Sequence, residues 1–361
     1  MYGRRKVITI LGPRQVGKST LLSELAAAGT RVRILNCDNE DDRRLLIDKT
    51  STELKTLVEP HDFFLIDEAQ RVKNIGLILK KIGDLHLDTH VIVTGSSSFD
   101  LADEINEPAT GRLIEFNLYP LSLPELAAST SQVEEQRMLE TRMIYGLYPE
   151  VVTVPEYAQD TLMNLANNYL YRDALSFQGM RKPDALMRLV RALALQIGSE
   201  VSYNELAQTV GIDKATIENY INLLEKCFIV FRLNSFSRNA RNEIRKGKKI
   251  YFVDNGVRNA VLSHFAPLEL RNDVGMLWEN LMVSERVKRN AYQRSYAQLY
   301  FWRTHDQKEI DLLEEKDGRL SAFEFKWNDK KKTHMPKNFA QSYSNSEFSV
   351  INRDNFWSFL S

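Results

Sequence analysis

Short apolar runs alternate along this chain with stretches in which apolar residues recur every three or four positions, a mixed pattern of strands and helices. Val7-Ile8-Thr9-Ile10-Leu11 reads as a buried strand, and Thr20 to Ala28 has helical spacing with Gly29 as its stop. His61 to Ile66 and His90 to Val93 are two further short strands. From about Pro120 to Phe177 the pattern is helical, with a tyrosine-rich connection. Helical periodicity resumes from Asp184 to Ile197. Two short helices follow, one capped by Ser202 and ended by a turn at Gly211, the next capped by Asp213. Phe228–Phe231 and Lys249–Val253 read as a hairpin. The last third offers a helix over Gly275–Glu285 and strands at 298–303, 309–314 and 320–327. The fold expected is α/β and multidomain, divided at 1–120, 121–184, 185–255 and 256–361.

A length of 361 residues agrees with several domains. Net charge is zero, which excludes a polybasic coat, but the halves differ. Residues 1–150 carry 18 basic and 23 acidic side chains, and residues 151–361 carry 30 and 25, so a polyanionic partner would meet the second half. Cys37 and Cys227 are too far apart in sequence for a disulfide framework or a metal motif, which fits a reducing cytoplasmic setting. No apolar run approaches a membrane span, so no membrane role is expected.

Between the first strand and its helix stands Gly12-Pro13-Arg14-Gln15-Val16-Gly17-Lys18-Ser19, followed by Thr20. This is G-x-x-x-x-G-K-[ST] in its strand–loop–helix setting. The glycines let backbone N–H groups curl round phosphate oxygens, and the helix N-terminus adds partial positive charge. Lys18 is expected to reach the β/γ-phosphates and the Ser19 hydroxyl to join a Mg²⁺ site. The second strand ends in Asp67-Glu68, where Asp67 can hold Mg²⁺ through water and Glu68 can polarise an attacking water. The third ends in Thr94-Gly95-Ser96-Ser97-Ser98. Thr94 and Ser96 are candidates for sensing the γ-phosphate, and any of the serines can equally be a helix cap. Arg112, after Ala109-Thr110-Gly111, is either a finger completing a neighbour's site or an ion-pair partner.

The strings GPRQVGKSTLL, FFLIDEAQRV, VIVTGSSSFDL, GRLIEFNLYPLSLPEL and GLYPEV resemble the prokaryotic AAA+-type ATPases that carry a C-terminal domain of unknown function. The resemblance implies a P-loop NTPase parallel sheet over 1–120, with the third strand lying between the other two. It also implies ATP as the nucleotide, and a helical connector over 121–184. The recurring motifs Gly146-Leu147-Tyr148-Pro149-Glu150 and Arg172-Asp173 carry no evident chemistry and are expected to pack.

Helix, turn, helix and hairpin over 185–255 make a winged helix, a frequent DNA-reading module. Its hairpin region holds Arg232, Arg238, Arg241, Arg245, Lys246, Lys248 and Lys249 against Glu243 alone, a cluster able to neutralise phosphates. The second helix, with Glu218 and Asn219 against Lys214, is poorly suited to reading a major groove.

Over 256–361 the order is a helix carrying Glu279, then Asp311, then Glu324-x-Lys326 on one strand face. This resembles the PD-(D/E)XK nuclease superfamily. The resemblance implies that Asp311, Glu324 and Glu279 hold Mg²⁺ while Lys326 orients a water. A plain cross-strand ion pair is the other reading of Glu324 and Lys326. Lys330, Lys331, Lys332 and Lys337 either extend a phosphate-binding rim or form a solvated face. Two functions follow: an ATP-driven machine acting on DNA, or a regulatory ATPase switch that assembles with a protein partner. Finger-type arginines act between subunits, so self-association is expected to accompany either.

Overall fold

The computed structural model describes residues 6–27, 29–96, 111–175, 182–237, 247–304, 308–328 and 333–361. Residues 1–119 with 226–228 form one compact unit, and residues 120–225 with 229–361 form another.

The first unit is built on five strands: β1 (Val7–Leu11), β2 (Val32–Asn36), β3 (Phe63–Asp67), β4 (His90–Gly95) and β5 (Leu113–Asn117). All neighbours are parallel, in the order β2-β3-β4-β1-β5, so β4 does lie between β1 and β3. A parallel sheet needs apolar cover on both faces, and the alternation supplies it. Val7, Leu11, Phe64, Ile66, Val91 and Val93 enter one core, with Leu79 and Ile82 of α2 (Ile75–Asp84). Ile10, Leu65 and Ile92 enter the other, with Leu22 of α1 (Lys18–Ala27). The edge strands β2 and β5 had no independent signal in the hydrophobic pattern: each keeps several exposed or half-buried positions.

In the second unit, α3 (Leu139–Tyr145) ends at Gly146, whose φ is +72°. A Cβ there would lie 2.1 Å from Asp254 Oδ1, and the Leu147 N–H donates to Asp254 Oδ2 at 2.7 Å. The Gly146–Glu150 motif is thus a packing device: only glycine lets the chain close on the buried Asp254 carboxylate. Further on come α4 (Pro183–Leu195), β6 (Glu200–Val201), α5 (Tyr203–Val210), α6 (Lys214–Lys226), β7 (Val230–Ser235) and β8 (Lys248–Phe252). Ser202 and Asp213 accept from the backbone N–H groups of Glu205 and Thr216. Gly211 takes the left-handed turn between the two helices.

The chain then runs through α7 (Asn255–Val261), α8 (Val274–Tyr292), β9 (Gln298–Arg303), β10 (Glu309–Lys316), β11 (Arg319–Phe325) and β12 (Ser346–Ile351). These strands do not make a sheet of their own. One seven-stranded sheet runs β12-β11-β10-β9-β7-β8-β6, joined in the middle by parallel pairing of Asn234 with Tyr300 and Ser235 with Phe301. The boundary expected at 255 therefore falls inside a continuous sheet. Long-range pairing of this kind leaves no local pattern, because strand periodicity reports a face and not a neighbour. Trp278, Leu281 and Met282 of α8 pack on Phe301, Leu312 and Phe325. Asn280, fully buried, serves the end of β8: its Oδ1 accepts from Phe252 N at 2.8 Å and its Nδ2 donates to Phe252 O at 3.0 Å. Among the described residues no helix is long and apolar enough to cross a membrane.

Candidate functional site

The loop from Gly12 to Ser19 leaves the C-terminal end of β1 and enters α1. Its two glycines answer different demands. A Cβ on Gly12 would lie 2.0 Å from the Leu118 carbonyl oxygen, so close backbone packing excludes any side chain. Gly17 has open space where its Cβ would be, and what calls for glycine there is its φ of +96°. Gln15 is also left-handed, at φ 61°. Lys18 is buried and its ammonium donates to the carbonyls of Gly12 and Pro13 at 2.9 and 2.6 Å. Ser19 and Thr20, in the first turn of α1, are exposed, and Arg14 and Val16 complete the loop. A curled backbone, a helix N-terminus, one lysine and one hydroxyl fit a nucleotide triphosphate with Mg²⁺.

Asp67 ends β3, and its Oδ1 accepts from the Glu68 N–H at 3.1 Å and from the Thr94 hydroxyl. Thr94 is completely buried. Thr94 fixes the Asp67 carboxylate, at the end of β4 where a nucleotide-sensing residue is expected. Glu68 is held in the left-handed region at φ 53°, a costly conformation for a non-glycine residue that tends to mark functional positions. Its Oε2 accepts from Gln70 Nε2 at 2.5 Å, and the same amide reaches Ser96 Oγ at 3.1 Å. Gln70 thus ties the end of β3 to the end of β4. Gln70 belongs to no motif of its own, and its position two residues after Glu68 is the one sequence signal for it. Cys37 lies next to this edge, its N–H on the Asp67 carbonyl, and burial pushes its thiol up to about 12.

Arg112 is not brought to the phosphate loop. Its carbonyl accepts from Val7 N, which places it at the opposite end of β1, four strand steps or about 13 Å from the loop. Its guanidinium pairs with Asp84 at the end of α2. Within its own chain, then, Arg112 stands as an ion-pair partner. Ser97, Ser98 and Thr110 lie outside the described residues.

In the second unit the three carboxylates expected to hold a metal converge, with Lys326 beside Glu324 and Lys249 among them. Asp311 Oδ2 accepts from Phe325 N at 2.8 Å, beside Glu324, and Glu324 Oε1 pairs with Lys326 Nζ at 2.7 Å. Glu279 Oε1 accepts from the Tyr251 hydroxyl at 2.7 Å and from Lys249 Nζ at 3.1 Å. The same ammonium pairs with Glu309 and lies 4.0 Å from Asp311 Oδ1. Burial, reinforced by the nearby Asp311 charge, pushes the Glu279 carboxyl up to about 7. Burial alone would lower Lys249, but Glu279, Asp311 and Glu309 together hold it above its ordinary value. Among the described residues, no group of three or more His, Cys, Asp or Glu is placed to hold a metal. The expected Mg²⁺ set of Glu279, Asp311 and Glu324 therefore does not fit the ion, because a lysine of the same chain stands among the carboxylates.

Among the described residues of the basic hairpin, three cations meet carboxylates. Lys249 is buried in the acidic centre, Arg232 pairs with Glu225, and Lys248 faces Glu218 at 3.8 Å. Arg238, Arg241, Glu243, Arg245, Lys246, Lys330, Lys331 and Lys332 lie outside the described residues, as do the side chains of Arg172 and Asp173.

Comparison with known proteins accords with the first unit. Residues 4–127 match the family model described as AAA domain. Residues 136–268 and 274–355 match two families described as domains of unknown function, DUF8612 and DUF4143. An uncharacterized protein of Haemophilus influenzae is 24% identical over 355 residues, spanning 91% of this chain and 84% of its own. An uncharacterized protein of Mycobacterium tuberculosis is 27% identical over 329 residues, 90% of this chain and 70% of its own. A solved DNA replication initiation factor is 19% identical, with 61% of this chain and 82% of the other covered, but its TM-score of 0.24 is too low to carry an argument. Residues 4–127 are therefore an AAA-type P-loop ATPase domain, and the rest of the chain carries two regions similar to families with no assigned role.

Proposed function

We propose that the chain is a Mg²⁺-dependent ATP hydrolase that works as a switch. Nucleotide state in the first unit controls how the second unit, read as a winged helix joined to a nuclease-like sheet, engages a partner protein. The observation that carries the hydrolase reading is the placement of Lys18, Asp67 and Glu68 at the C-terminal edge of one parallel sheet, with Gln70 bracing Glu68. Lys18 would neutralise the terminal phosphates, Ser19 and Asp67 would hold Mg²⁺, and Glu68 would take a proton from water. Bound Mg²⁺ supplies charge neutralisation on the phosphate oxygens. Gln70 is a positioning residue. Gln70→Ala is expected to lower kcat roughly tenfold with KM little changed, because it loosens the base without touching nucleotide. A rise in KM at constant kcat would move Gln70 into nucleotide binding.

The switch reading is supported by the pairing of Arg232, Lys248 and Lys249 with carboxylates, which takes them out of phosphate contact. One observation favours DNA instead: the order of helix, short strand, two helices and hairpin in α4 to β8. Steady-state ATP hydrolysis with and without linear duplex DNA across a salt series separates the two. The switch predicts turnover changed less than about twofold by DNA at any salt. Stimulation that fades steeply with salt is the mark of phosphate contacts and would establish the DNA-coupled reading.

A further inference from the structure

Lys249 occupies a position that its sequence context disguises. It lies in β8 two residues from Tyr251, and alternation puts both on one sheet face, where both reach Glu279 of α8. The lysine side chain reaches past the adjacent strand β7, its ammonium 5.6 Å from the Phe301 ring centre in β9 and paired with Glu309 in β10. An ammonium has three N–H donors and no acceptor. Here three carboxylates, on Glu279, Glu309 and Asp311, surround it, and its side chain is only 2% exposed. The remaining acid, Glu324, has its own cation in Lys326 at 2.7 Å, and Glu309 has a second in Arg303 at 3.6 Å.

We infer that Lys249 is this chain's own replacement for a divalent cation: its ammonium neutralises the acidic centre of the second unit, which therefore takes no metal and does not hydrolyse phosphodiesters. The chemistry follows from the ion. Mg²⁺ binds carboxylate oxygens at about 2.0–2.1 Å and keeps positions open for water or phosphate. A buried ammonium offers no open coordination position and does not act as a Lewis acid on bound water. To admit a metal, the centre would have to expel a charged group from a buried site into solvent. The inference goes beyond the ATPase reading and does not depend on it.

The test is Mn²⁺ binding to the nucleotide-free full chain, followed by loss of the free-ion paramagnetic signal, for four proteins: native, Asp311→Asn, Lys249→Ala and the double variant. Native and Asp311→Asn are expected to bind Mn²⁺ alike, whatever weak binding the phosphate loop contributes. Lys249→Ala is expected to gain one ion per chain and to melt at a higher temperature with Mn²⁺ than without it, as a bound ligand requires. Adding Asp311→Asn should remove both gains. Mn²⁺ binding by the native chain that Asp311→Asn abolishes would overturn the inference, and so would a folded Lys249→Ala that gains no ion. If Lys249→Ala does not fold, the comparison of native with Asp311→Asn still decides, since Asn retains an acceptor for Phe325 N.

Discussion

Glu68→Gln is expected to bind ATP with near-native affinity while hydrolysis falls by about two to three orders of magnitude, the usual loss when a general base is removed. The geometry makes this substitution a clean one. Glutamine keeps the length of the side chain and an oxygen that can accept from Gln70 Nε2, so the link to Ser96 survives. Asp67 retains its donors, the Glu68 N–H and the Thr94 hydroxyl, neither of which involves the Glu68 side chain. What is lost is the group that accepts a proton. Nucleotide affinity by fluorescence titration and turnover under single-turnover conditions check the two halves separately. Unchanged turnover would remove Glu68 as the base.

Lys18→Ala is expected to weaken ATP binding by roughly a hundredfold or more, since a charge-assisted contact to phosphate is lost. A second effect adds to the first. In this structure the Lys18 ammonium bonds the carbonyls of Gly12 and Pro13, bracing the loop that it also arms. Thermal unfolding without nucleotide should change by a few degrees at most, because the cores of the first unit do not include Lys18. Isothermal titration with ATP is the measurement, and affinity within a factor of about three of native would exclude Lys18 from phosphate contact.

The contrast between the two units shows what the chain discloses about itself. The nucleotide edge was legible because its parts are local: the loop and the helix that follows are contiguous, and each acidic or hydroxyl residue sits at the tip of a short apolar strand. Even the insertion of β4 between β1 and β3 followed from the resemblance. The acidic centre was legible only in its composition. Glu279, Asp311 and Glu324 do converge, yet Lys249 was read as one of a cluster of hairpin cations. Its partners lie 30 and 60 residues further on, in α8 and β10, and nothing in the residues around it reports them. Arg112 stayed open between finger and ion-pair partner because its partner, Asp84, lies 28 residues earlier in the chain, at the end of α2. Gly146 was noticed without a purpose because its purpose is Asp254, more than a hundred residues away.

The pairing of β7 with β9 bears on how such a chain can evolve. A gene fragment encoding the helices and the hairpin alone would end with β7 uncovered, and one encoding the remainder would begin with β9 uncovered; each fragment would present a raw sheet edge prone to aggregation. The two regions of unassigned role meet between residues 268 and 274, yet their shared sheet ties them into one heritable piece.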